Sequence, residues 1–122
     1  MEQKNTHTIK SLNLEITENE YISIIWHGKS TERNPGNFLN PILSETLSRS
    51  TAEGKTIIMD FRELEFMNSS TVTPVAKMLE QGKKGSNSIT VYYNKTKKWQ
   101  ELSFSALKIF ETDDDRISVI GN

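Results

Sequence analysis

Residues 55–61, KTIIMDF, set Ile57, Ile58, Met59 and Phe61 in a near-continuous apolar run bounded by polar residues. A strand with one wet face alternates apolar and polar side chains. A run without alternation is the pattern of a strand covered on both faces, as in a parallel sheet. Parallel neighbours need crossover connections, most often helices. The rest of the chain supplies them. SITVYYN (88–94) and ISVI (117–120) read as further strands, rich in β-branched and aromatic residues. Apolar residues recur at helical spacing in between: Phe38, Ile42, Leu43 and Leu47, then Val72, Val75, Ala76 and Leu79. A third helix is predicted over about 96–106, with Trp99 and Leu102 inward and Lys97 and Lys98 outward. Asn40-Pro41 predicts the N-cap and first position of the first helix, and Ala52-Glu53-Gly54 its end. Gly82 closes the second.

Ahead of this region, Leu12, Leu14 and Ile16 alternate with polar residues, and Ile22, Ile24 and Trp26 do so after a turn at Asn19-Glu20. The pair predicts an antiparallel hairpin. Residues 28–36, with Pro35-Gly36, form a loop. Residues 1–8 are polar and predict a disordered tail, which leaves 9–122 as one domain of a size that buries a proper core. The fold class expected is α/β: a mixed sheet opened by an antiparallel hairpin, with helices in crossover connections.

Charge and composition narrow the function classes. Fifteen Lys and Arg against sixteen Asp and Glu give a net charge of -1. That balance argues against a dedicated nucleic-acid binder and offers no electrostatic pull toward an anionic membrane. The basic run Lys95, Lys97, Lys98 beside Tyr92, Tyr93 and Trp99 therefore reads as a solvated helix face. There is no cysteine, so disulfides, cysteine-zinc sites and cysteine nucleophiles are excluded, and a cytoplasmic address is expected. No apolar stretch is long enough to span a bilayer, and MEQKNTHTIK lacks the apolar core of a secretory signal. The sequons at Asn68 and Asn94 are taken as coincidence. His7 and His27 are the only histidines, too few and too scattered for a metal site. No G-x-S-x-G elbow, Walker loop or G-x-G-x-x-G is present, so no cofactor is expected. A serine hydrolase would require Asp60, Ser69 and His27 to converge.

The informative stretch runs from Met59 to Val72. A strand leaves the sheet at Asp60, whose carboxylate is expected to hydrogen-bond the following loop. The chain crosses a short link with Leu64 and Phe66 tucked in, and reaches the hydroxyl cluster Ser69-Ser70-Thr71 before a helix. Sites in open α/β sheets tend to form at such carboxyl ends of strands. A helix N-terminus carries unpaired N–H groups and partial positive charge, so a phosphate on a serine there is stabilised rather than repelled. Hydroxyl residues before a helix also serve as plain caps. Pro74 favours Thr73 as N-cap and a late helix start near Pro74, with Ser69 on the loop leading in.

The run Ile58-Met59-Asp60-Phe61 followed by Leu64-Glu65-Phe66-Met67-Asn68-Ser69-Ser70 resembles the D-L-…-F-M-D-S-S-G core of the STAS domain of anti-sigma factor antagonists. Trp26-His27-Gly28 is similar to that family's second strand ending in glycine, and Phe104 to Phe110 to its segment after the third helix. The resemblance spans roughly 12–112. It implies a non-catalytic bacterial regulator of transcription that binds a serine-kinase anti-sigma factor or related regulator. The kinase phosphorylates a serine at the helix start and binding is lost; a phosphatase restores it. Carried over by position, the phosphoacceptor is Ser69, with Ser70 the lesser candidate. The partner surface is Asn68, Ser69, Ser70, Thr71 and Gly28. Asn68 stands where the family has an acid, and Thr71 where it has glycine. The alternative is a constitutive interaction scaffold of the same fold without phosphorylation, its surface formed by the loop 28–37 and the 66–74 junction.

Overall fold

A computed structural model describes residues 3–122. A seven-stranded mixed sheet runs in the order β1 (Gln3–Ile9), β2 (Leu12–Glu18), β3 (Ile22–Ser30), β4 (Ile57–Asp60), β6 (Ile89–Tyr93), β7 (Ile117–Gly121), with β5 (Leu64–Met67) on β3. β2 and β3 form the expected antiparallel hairpin, pairing Leu14 with Trp26 and Ile16 with Ile24. β4, β6 and β7 add in parallel through helices α1 (Gly36–Glu53), α2 (Ser69–Lys84) and α3 (Lys98–Ala106). A 3-10 turn at Leu107–Phe110 follows α3. The C-terminal ISVI segment is a strand, as its composition predicts.

The polar segment read as a disordered tail is a strand from Gln3 onward, paired along its length with β2; Met1 and Glu2 lie outside the described residues. Periodicity missed it because an edge strand with both faces wet carries no apolar alternation. A second correction concerns the faces of the sheet. Leu14, Ile24, Trp26, Met59, Val91 and Val119 pack with Leu39, Leu43, Val75, Leu79 and Phe104 into one core on one face. Ile25, Ile58 and Tyr92 lie on the opposite face and stay half-exposed, so the apolar run at 57–61 marks a strand covered on one side.

Helix starts also differ from expectation. α1 begins five residues early, at Gly36, because Asn37 donates to the Asn34 carbonyl and Phe38 and Leu39 to that of Pro35, building a turn ahead of Pro41. Gly54, in the left-handed conformation at φ 64°, ends it as predicted. Arg49 on α1 and Lys55 after it both bond the Glu18 carboxylate at the end of β2, at 2.7 and 2.9 Å, which ties the helix to the hairpin. Of Trp99 and Leu102 only Trp99 turns partly inward. Leu102 is 70% exposed, and the side chains that α3 sinks into the protein are Gln100 and Phe104.

Candidate functional site

β4 and β5 lie end to end along β3. Ile22 to Ile25 pair with β4 and Gly28 to Ser30 with β5, and the register shifts between Gly28 and Lys29. The link between them is a turn in which Leu64 N–H donates to the Phe61 carbonyl. Asp60 shapes it as expected, accepting from the Arg62 backbone N–H at 3.0 Å and from its guanidinium at 2.8 and 3.0 Å. Burial works to raise the Asp60 pKa, but these bonds and the Arg62 charge outweigh it and hold the carboxyl below its ordinary value.

The turn is filled from the other side by α3. Gln100, fully buried, donates to the carbonyls of Phe61 (2.7 Å) and Leu64 (3.0 Å) and accepts from Asn94 N–H (2.7 Å). Lys97 adds bonds from its ammonium to the Arg62 and Leu64 carbonyls. Sequence reasoning missed both. A glutamine at a buried helical position is a weak signal until the broken strand it serves is known. Phe66, expected to be tucked in, is 44% exposed beside Trp99, and only Leu64 and Met67 of β5 are buried.

α2 then begins at once, at Ser69, rather than near Pro74. Asn68 is the N-cap: its Oδ1 accepts from the Thr71 N–H (3.0 Å) and hydroxyl (2.6 Å), while its Nδ2 donates to the Glu32 carbonyl at 2.9 Å. Its own N–H bonds the Ser30 carbonyl. Such a cap contributes on the order of 1 kcal/mol. Here the same side chain also fixes the 31–35 loop, which only an amide, with donor and acceptor together, can do. An aspartate at this position would keep the cap and lose the donation to Glu32. Pro74 is tolerated as the sixth helical residue because it lacks only the N–H that would have bonded the Ser70 carbonyl, and its ring is buried.

The sequence-predicted residues separate accordingly. Ser69 and Ser70, the first two residues of α2, are exposed. Thr71 is 0% exposed, its hydroxyl 2.6 Å from that of Ser30. It ties α2 to β3 and cannot touch a partner, which corrects its assignment to the partner surface. Gly28, half-exposed, has a backbone role of its own. At φ 82° it sits in the register shift, where an added Cβ would fall 1.9 Å from the Ser11 carbonyl oxygen. Its glycine identity is a backbone requirement of the β3 turn from β4 to β5. His27 faces Glu15, with Nε2 3.8 Å from the carboxylate, and Asp60 is engaged by Arg62. Among the described residues no hydrogen bond joins His27, Asp60 and Ser69, and no three His, Asp or Glu side chains converge as a metal would need.

Beside Ser70 opens a groove of about 430 Å³ between the 33–37 loop and the first turns of α1 and α2. Exposed hydroxyls at the start of a helix, a side-chain clamp from the cap to a neighbouring loop, and an adjoining groove thus lie together at one end of the α/β domain.

No family model matches the chain, and no curated protein does. Among solved structures, SiaC of Pseudomonas aeruginosa superposes with a TM-score of 0.58 over 85% of this chain and 91% of its own, at 14% identity. An uncharacterized protein of the DUF3478 family with a SpoIIAA-like fold, from Shewanella loihica, aligns over 99% of this chain and 86% of its own, with a TM-score of 0.49 and 16% identity. The likeness to SiaC is one of fold. No helix among the described residues is long and apolar enough to cross a membrane.

Proposed function

We propose that this chain is a non-catalytic regulatory protein that acts by partner switching, in the manner of an anti-sigma factor antagonist. The unmodified form binds a serine-kinase regulator through the surface around the α2 N-terminus. Phosphorylation of Ser69 ends that binding and a phosphoserine phosphatase restores it. The observation that carries the reading is the placement of Ser69: exposed, first in α2, on a backbone pinned by the Asn68 cap and the Ser30–Thr71 hydroxyl pair. A kinase can reach the hydroxyl without unfolding anything. The positive end of the helix stabilises the added charge, so the fold survives modification while the surface read by the partner changes.

The test is the chain recovered from its own cells. Phosphate is expected in the tryptic peptide 63–77 and on Ser69. Ser69→Asp is expected to lose at least tenfold in affinity for the captured regulator, with Ser69→Ala binding constitutively. Equal affinity for all three forms would replace the switch with the constitutive scaffold.

A further inference from the structure

The groove beside Ser70 has a composition that the partner-switching reading does not use. Its charged lining consists of Arg33 and Lys77, both exposed, and neither forms an ion pair among the described residues. No carboxylate lines it; Glu32, next to Arg33, is turned to Lys10 at 3.1 Å. The N-terminal turns of α1 and α2 both border it, through Asn37 and Asn40 on one side and Ser70 and Thr73 on the other, and neither first turn carries an acidic residue. The two partial positive helix ends and the two cations thus add with nothing opposing them. The exposed side chains of Asn37, Asn40, Ser70 and Thr73 line the same walls, so amide and hydroxyl oxygens present hydrogen-bond acceptors there. A free anion has no use for an acceptor, whereas a polypeptide carries N–H donors and carboxylates together.

We propose that this groove docks an acidic segment of the partner protein, its carboxylates against Arg33 and Lys77 and its backbone N–H groups against the amide and hydroxyl oxygens that line the walls. The proposal deepens the partner-switching reading by naming the chemistry the partner presents. It also explains how modification would release that partner: a phosphate at the start of α2 adds negative charge at the rim of a groove built to receive it.

The experiment is a 15N amide-shift titration of the whole chain with N-acetyl-Gly-Glu-Asp-Glu-Gly-amide at low salt. The Lys-for-acid counterpart and inorganic phosphate serve as controls. Shifts confined to residues 33–40 and 70–77 are expected. Binding should weaken roughly tenfold in Arg33→Glu and in Lys77→Glu, and weaken again at about 0.15 M salt. Both positions are exposed, and the spectra themselves report that the variants fold. No saturable shift, equal binding of the basic peptide, or wild-type affinity in both charge-reversed variants overturns the proposal. Phosphate alone reproducing the shifts at lower concentration also overturns it, by making the groove a simple anion subsite. Phosphate on Ser69 is read by mass spectrometry of the chain from its own cells and groove binding by the titration, so failure of the groove and failure of the switch are read separately.

Discussion

Replacing Gln100 with leucine keeps a buried side chain of similar size and removes three hydrogen bonds. The Asn94 N–H then loses the acceptor that held it at 2.7 Å. The Phe61 carbonyl keeps Leu64 N–H, and the Leu64 carbonyl keeps Lys97 at 3.3 Å. One donor is therefore orphaned and two carbonyls are under-bonded. An orphaned buried group costs about 1–3 kcal/mol and each lost bond about 0.5–1.5 kcal/mol, against which leucine returns some apolar burial, so a net loss of roughly 2–4 kcal/mol is expected. That is a large share of the ~5–15 kcal/mol that holds a domain together. It corresponds to a Tm about 10 °C lower in a chain of this size. Urea unfolding followed by tryptophan fluorescence measures it, with the slope unchanged and the midpoint lowered. Hydrogen exchange should show the Asn94 amide deprotected and the effect running through residues 61–68. A loss under about 0.5 kcal/mol, with Asn94 as protected as in the wild type, would refute the claim that this side chain holds the broken strand in place.

Two further predictions rest on backbone and charge. Gly28→Ala forces a Cβ onto the Ser11 carbonyl at positive φ, and should cost about 2–4 kcal/mol in chemical denaturation, far more than glycine-to-alanine at the open position 54. Hydrogen bonds from Arg49 and Lys55 lower the Glu18 pKa from 4.5 to about 2. A carboxyl depressed in the folded state contributes stability that is present above pH 4.5 and lost as pH falls toward 2. Arg49→Ala should therefore move the acid-unfolding midpoint upward within that window and change little at pH 2; circular dichroism across pH 2 to 6 checks it.

Periodicity alone determined the hairpin, the strands β4, β6 and β7, the three helices and the place of the hydroxyl cluster at a strand-to-helix junction, while β5 read as a mere link. Those features follow from which side chains must leave water, and that information is local to each segment. What periodicity does not encode is pairing. β1 exists because β2 offers it an edge, with no apolar pattern of its own. The break between β4 and β5 depends on Gln100, which lies some forty residues downstream and satisfies backbone groups the sequence cannot show to be exposed. Prolines at 41 and 74 read locally as helix starts, yet each sits inside a helix whose first turn is held from outside: α1 by carbonyls of the preceding loop, α2 by the Asn68 cap. The direction a side chain faces at the site was likewise settled only in three dimensions. Ser69 and Ser70 face solvent while Thr71 turns inward to Ser30, because the cap bond and the hydroxyl pair leave the helix one orientation against β3.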